Sequence, residues 1–453
     1  MIGRAFCAIL LVTLLIYLAA PALASGQSQP AASPASTTSP QGAATTPQQP
    51  APPQRQVKAY TLPPDKYEKA VAYSRARYRL YFIEFVYGVI LLLLVLRWRL
   101  APKYRDWAER ATRRRFLQAV IYTPLLLLTV GILGLPIDIY SQWLERKYDI
   151  SVQGWGSWAW DWTKGELIAF AIGIILVWIL YAVIRHSERR WWFYFWLASL
   201  PILLFVFFIS PLVIDPLFYK FEPLERTQPG LVATLEQVVH RGGMNIPPER
   251  MFLMKASEKT KALNAYVTGF GASKRVVVWD TTIQNMATPE VVFTFGHEMG
   301  HYVLGHIWKG VLFFAGLFFV LLYLGYSFIH WTLQRWGAGW GIRGLNDWAS
   351  LPVLLLLISI FSFLFDPISN TFSRYIEHEA DVYGLEVTHG ITPNSGQVAA
   401  GAFQILGEVD LSDPHPSEFI RIWLYNHPPI GERVAFALSY DPWSEGQSPE
   451  FVK

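Results

Sequence analysis

Apolar residues along this chain gather in long runs, not in strict alternation or a heptad stripe, and the runs have the length of a bilayer crossing. Six of them, near residues 79–96, 116–136, 165–184, 191–214, 308–330 and 350–368, are long enough as helices to span about 30 Å of hydrocarbon. Trp and Tyr crowd the ends of several, as at Trp191 and Trp192, where aromatic side chains anchor a span at the headgroup layer. Between the fourth and fifth runs the pattern changes. Residues 225–240 repeat apolar positions with a helical period, and MFLMKAS and KRVVVWD read as short strands. LNAYVTGFGASKRVVVWD predicts two strands, Asn264 to Gly269 and Arg275 to Asp280, joined by a Gly-rich turn. The expected fold is mainly α: a polytopic helical membrane protein of six to seven spans with a small α+β domain inserted between them.

Composition agrees with the runs. With 52% hydrophobic, 15% aromatic and 16% charged residues, the chain is excluded from the soluble class that its length alone would fit. The net charge of +4 matters less than its distribution. Residues 97–115 carry eight Lys or Arg against two acids, and RHSERR follows the third span. Such runs beside spans are cytoplasmic anchors under the positive-inside rule, and no nucleic-acid module accompanies them. At the N-terminus, Arg4 precedes an apolar stretch ending in Ala22-Leu23-Ala24, so residues 1–24 are expected to be a signal peptide or an uncleaved first span. Residues 25–56, rich in Ser, Pro, Ala, Thr and Gln, are expected to be a disordered tether. Cys7 is the sole cysteine and lies in the leader, which leaves no disulfide or thiolate chemistry downstream. Glu84, Asp138 and Asp215, within or at the ends of spans, are candidates for a polar interior.

The chemistry is concentrated in HEMGH, His297 to His301. Two imidazoles at i and i+4 project from one helix face and can share a metal ion, and Glu298 can polarise a water beside it. The helix is expected to begin near Pro289. In SRYIEHEADVYGLEV, Glu377 and Asp381 stand four residues apart on one face, so Glu377 is the expected third ligand and Asp381 an acceptor for the free N–H of a liganding histidine. His378 and Glu379 are rivals for the third position, ranked lower because Glu377 alone forms the E-x-x-x-D spacing. Gly305 and His306 fall at the wrong offsets for the zincin class whose third ligand is a histidine. Two histidines from one face and a glutamate from the other then imply one zinc per chain, with an open position for water. The strand pair could hold an extended peptide by strand addition. NHPPIGERV carries His427 and Arg433, either of which could stabilise an oxyanion, although a surface loop before a helix is the commoner reading of such a segment.

The stretches LPIDIYSQWLERKYDIS, PLFYKFEPL, LNAYVTGFG with KRVVVWDT, HEMGHYVLGH, SRYIEHEAD and NHPPIGER, in this order, resemble the type I CAAX prenyl protease family, integral-membrane zinc metallopeptidases of the gluzincin group. The resemblance covers nearly the whole chain after the tether. It implies His297, His301 and Glu377 as ligands, Glu298 as catalytic base, Asn264 as a substrate-backbone contact, and His427 and Arg433 as transition-state or substrate groups; Ala265 and Tyr266, next to Asn264, are further substrate-binding candidates. It also implies a helical ring enclosing a chamber, with a small zincin-like α+β catalytic domain. The expected organisation is therefore a four-span membrane domain over 57–214, a catalytic segment over 215–307, a membrane hairpin over 308–368 and the rest of the catalytic domain over 369–453. Counting spans from an external residue 25 places 215–307 and 369–453 on the same outer side, typical of a bacterial inner membrane with its site toward the periplasm. The expected partners are a peptide or protein substrate and the bilayer. The expected activity is endopeptidase action on membrane-associated or misfolded proteins. Prenyl-protein processing and a non-catalytic chaperone or gate are the alternatives.

Overall fold

The computed structural model describes residues 55–269 and 273–452; the leader, Cys7, most of the tether and part of the Gly-rich turn lie outside the described residues. The chain enters at α1 (Pro64–Arg97), whose proline sits in the first turn where its missing N–H costs nothing. It continues through α2 (Leu100–Ala111), α3 (Arg115–Lys147), α4 (Trp155–His186) and α5 (Trp191–Val213). A second pair of membrane helices, α8 (His306–Thr332) and α9 (Leu351–Thr388), follows an inserted α+β segment. Five described helices are long and apolar enough to cross a membrane, and the count reaches six if α5 and its bent continuation to Phe218 are taken as one span. All six expected spans are thus helical, and most extend beyond their apolar runs because polar turns at their ends continue the helix outside hydrocarbon.

The membrane helices share one apolar core that includes Leu92, Tyr122, Leu126, Val177, Tyr181, Phe318 and Trp348. Trp191 departs from the interfacial expectation: it is buried in that core, while Trp192 packs edge-on against Phe319 and Tyr323. Glu84 and Asp138 are buried among the helices, with Trp162 Nε1 donating to Asp138 at 3.2 Å. Asp215 lies beyond α5 and accepts from the Tyr266 hydroxyl at 3.2 Å.

Between α5 and α8 the chain builds a four-stranded sheet of β1 (Phe221–Pro223), β2 (Met251–Met254), β3 (Ala265–Thr268) and β4 (Arg275–Trp279) in the order β1-β2-β4-β3. β2 and β4 run parallel, connected by a crossover, and β3 returns antiparallel to β4 with Ala265 opposite Val278. The expected hairpin is present, but Asp280 begins a helix, its carboxylate accepting from Ser257 and Thr281 N–H groups. β3 is a sheet edge. The sheet packs with α6 (Pro229–Arg241), α7 (Thr288–Val303), α10 (Ser395–Val409) and α11 (Ile430–Ser439) around a second core that includes Leu235, Val276, Val278, Phe293, Phe295, Met299, Phe403 and Val434.

Candidate active site

α7 carries HEMGH. Its first turn is set by Pro289 and by the Glu290 carboxylate, which accepts the Ala287 N–H at 2.8 Å. Phe293, Phe295 and Met299 turn into the core, which leaves His297 and His301 on the side that faces α9. The crossing of these helices is close because Gly384 of α9 has no side chain. A Cβ there would sit 3.1 Å from the His297 backbone nitrogen and 3.2 Å from its Cα. α9 can therefore bring Glu377 and Asp381 onto the histidines.

His297 Nε2 lies 3.2 Å from His301 Nε2, and Glu377 reaches both, with Oε2 at 3.2 Å from the first and Oε1 at 3.5 Å from the second. Among the described residues this is the one group of three side chains placed to hold a metal, their ligand atoms all within 4.8 Å of one another. The donor set fits a cation. His297 Nδ1 stands 2.8 Å from Asp381 Oδ1, so a neutral imidazole with its proton there offers a bare Nε2 to the cluster. Glu377 Oε2 is buried and faces the Nε2 atoms of His297 and His427, each at 3.2 Å. Without a cation a proton takes that place: burial would lower His297, but the hydrogen-bonded carboxylates of Asp381 and Glu377 outweigh it and raise it to about 10. Burial pushes His301 down to about 3, leaving it neutral.

Glu298, beside the cluster, makes no hydrogen bond to the described residues, and burial raises its carboxyl to about 7. His427 turns Nε2 toward Glu377 Oε2 at 3.2 Å while its Nδ1 lies 2.9 Å from the Asn426 side-chain oxygen. Burial also lowers the His427 pKa. Arg433, buried on α11, is not on a surface loop. Its Nε and Nη2 donate to Asp381 at 2.9 and 2.6 Å, and its guanidinium lies over the Phe403 ring at 4.2 Å. The Asn264 backbone is pinned at the start of β3, its N–H donating to Thr282 Oγ1 at 2.7 Å and its carbonyl accepting the Trp279 N–H at 3.0 Å. The Asn264 side-chain amide has no bond to the described residues. Ala265 is buried against the core, and the Tyr266 ring points away to Asp215, which leaves these two only backbone groups to offer.

The rivals for the third position are elsewhere. His378 packs against Phe436, ring centroids 4.5 Å apart. Glu379, two residues on from Glu377 and so about 200° around the helix, pairs with His306 and Lys309. His306 lies behind His301, Nδ1 to Nδ1 at 3.1 Å, a contact the sequence reading missed. The signal was present in GH directly after HEMGHYVL, but its weight depends on a bend that spacing does not reveal.

Membrane helices joined to a His-His-carboxylate cluster with an adjacent free glutamate define an integral-membrane metallopeptidase, and comparison with known proteins makes the class specific. Residues 225–441 match the model of peptidase family M48, and residues 45–220 match that of the CAAX prenyl protease N-terminal region with five membrane helices. The chain is 36% identical to the uncharacterized metalloprotease YhfN of Bacillus subtilis (strain 168), across 86% of this chain and 89% of that one. It is 26% identical to the CAAX prenyl protease 1 homolog of Oryza sativa subsp. japonica, across 82% of this chain and 87% of that one. The crystal structure of S. mikatae Ste24p shares the fold, with a TM-score of 0.71 at 23% identity, covering 84% of this chain and 90% of that one. The chain belongs to peptidase family M48 and is a membrane metalloendopeptidase.

Proposed function

We propose that the chain is a zinc endopeptidase in which His297, His301 and Glu377 hold the metal and Glu298 is the general base. The observation that carries this reading is the pair of imidazole Nε2 atoms 3.2 Å apart over one Glu377 carboxylate. Zinc suits this mixed nitrogen and carboxylate set and, when bound, supplies Lewis acidity toward water and a peptide carbonyl. Glu298 takes a proton from the attacking water and returns it to the leaving amine, a role suited to a carboxyl near 7. Asp381 keeps the His297 proton on Nδ1, and Arg433 holds Asp381. That leaves His427 as the donor to the developing oxyanion, since the Arg433 fork is already occupied. An extended substrate lies along the β3 edge, its backbone meeting Asn264, Ala265 and Tyr266, and the free Asn264 amide supports this placement.

The substrate class we favour is membrane-associated or misfolded protein reached from the periplasmic face of a bacterial inner membrane, on the strength of the basic loops 97–115 and 185–190. The names of several relatives, CAAX prenyl protease 1 homologs, favour a second reading, trimming of prenylated proteins. One experiment separates them: purified wild type and Glu298→Gln, assayed for bound zinc and for cleavage of an unlipidated unfolded protein and a prenylated peptide. Cleavage of the unlipidated protein by wild type alone, with zinc in both proteins, is expected. Cleavage confined to the prenylated peptide overturns the substrate class, and equal cleavage by both proteins overturns the base.

A further inference from the structure

α7 ends at Val303, and Gly305, with φ +69°, turns the chain into α8. That left-handed residue breaks the helix, and His306, the first residue of α8, stands against the back of His301. His306 is completely buried. Its Nδ1 is 3.1 Å from His301 Nδ1, and its Nε2 is 3.0 Å from Glu379 Oε2. Glu379 is fixed in turn by Lys309 Nζ at 2.9 Å and by the Tyr375 hydroxyl at 2.9 Å.

Proton counting gives this chain of contacts one direction. His301 can present a bare Nε2 to the cluster only if its single proton is on Nδ1. His306 Nδ1 must then accept that proton, which obliges His306 to carry its own on Nε2, and Nε2 faces a carboxylate built to receive it. The opposite tautomers would leave a proton on His301 Nε2, aimed at His297 Nε2 and Glu377. We propose that His306 and Glu379 are positioning residues for the metal centre, locking His301 in its ligating tautomer through the relay His301 Nδ1–H to His306 Nδ1 and His306 Nε2–H to Glu379. The two histidines of HEMGH are then held differently: His297 directly by the Asp381 carboxylate, and His301 through a neutral imidazole that reaches a carboxylate near the protein surface.

The proposal rests on His301 being a ligand, so the test carries its own control. Zinc affinity is measured by chelator competition on the detergent-purified full chain, together with the thermal unfolding of each metal-free protein. His306→Phe is expected to weaken zinc binding by about 10- to 100-fold, the usual effect of removing a ligand's hydrogen-bond partner, with metal-free unfolding little changed. His306→Asn, whose Oδ1 takes the place of Nδ1 as acceptor, is expected to recover most of the affinity. Glu379→Ala is expected to weaken binding by about tenfold, the low end of that range. Should His306→Phe not fold, His306→Asn and Glu379→Ala decide: wild-type affinity in Glu379→Ala, or loss in His306→Asn as deep as in His301→Ala, overturns the relay. Wild-type affinity in a folded His306→Phe overturns it as well, provided His301→Ala binds no zinc. If His301→Ala binds zinc as wild type does, the ligand assignment falls and the relay falls with it.

Discussion

Arg433 grips Asp381 with two bonds, Nε to Oδ2 at 2.9 Å and Nη2 to Oδ1 at 2.6 Å, and Asp381 Oδ1 in turn stands 2.8 Å from His297 Nδ1. The contact joins α11, near the C-terminus, to the first histidine of HEMGH through a fully buried carboxylate. A lysine keeps the charge but cannot make the fork. Arg433→Lys is therefore expected to lose zinc affinity, while Arg433→Ala, which leaves Asp381 buried and unpaired, is expected to cost about 3–5 kcal/mol of stability. Chelator competition and thermal unfolding read the two effects separately.

The absence of a side chain at Gly384 lets α9 approach α7. Gly384→Val is expected to push the helices apart at His297, at a cost of about 1–3 kcal/mol for overpacking, and to lower zinc occupancy. Metal analysis of the folded fraction checks this; full zinc content would show that the crossing tolerates the extra atoms.

His427 is expected to act on the transition state and not on metal retention. His427→Phe should keep zinc and lower kcat by about 100- to 1000-fold with little change in KM. Steady-state kinetics on a fluorogenic peptide, with metal content measured in parallel, distinguishes this from a ligand role, in which zinc would be lost as well.

Removing the metal should destabilise the catalytic end more than the membrane helices. Chelation is expected to abolish cleavage and to lower the unfolding free energy by about 3–4 kcal/mol for a site held at 100 to 1000 times its Kd. Restoration of both by added zinc is the expected outcome; recovery by calcium but not zinc would contradict the donor chemistry.

The proposed orientation places Lys453 outside. A C-terminal alkaline-phosphatase fusion is expected to be active, and a well-expressed inactive fusion would put both catalytic segments in the cytoplasm.

Much of the fold could be read from the chain because hydrophobic run length is a local property: all six apolar stretches are helices, and the β3–β4 hairpin follows from the turn between its strands. The ligand candidates were legible for the same reason, being spaced by one helical turn on α7 and again on α9. What spacing could not reveal was contact between distant segments. β1 has three residues and pairs with β2 only through tertiary packing. Arg433 looked like part of a surface loop because the carboxylate that buries it lies 52 residues upstream. His306 could be judged only by its offset from His301, and the turn at Gly305 changes what that offset means in space. The segment that follows the tether is also held by contacts its composition conceals: Gln397 and Gln404 of α10 each bond both the N–H and the carbonyl of a residue in the entering chain, Val57 and Thr61.

The apolar span ending at residue 368 and the carboxylate-bearing stretch after it, which the expected organisation divides between hairpin and catalytic part, form one helix of 38 residues. From Ile368, where the apolar run ends, to Glu377 there are nine residue steps of uninterrupted helix, about 14 Å at the usual rise. If the hydrocarbon ends with the apolar run at Ile368, the proposed third ligand rides on a strut rooted in the lipid, and the enzyme would have a fixed cutting height above the bilayer. A peptide bond must be delivered to that height, whether by unfolding, by tilting out of the membrane or by slack in the chain. Selection of substrates then depends on how far a bond can stray from the lipid surface as much as on which residues flank it.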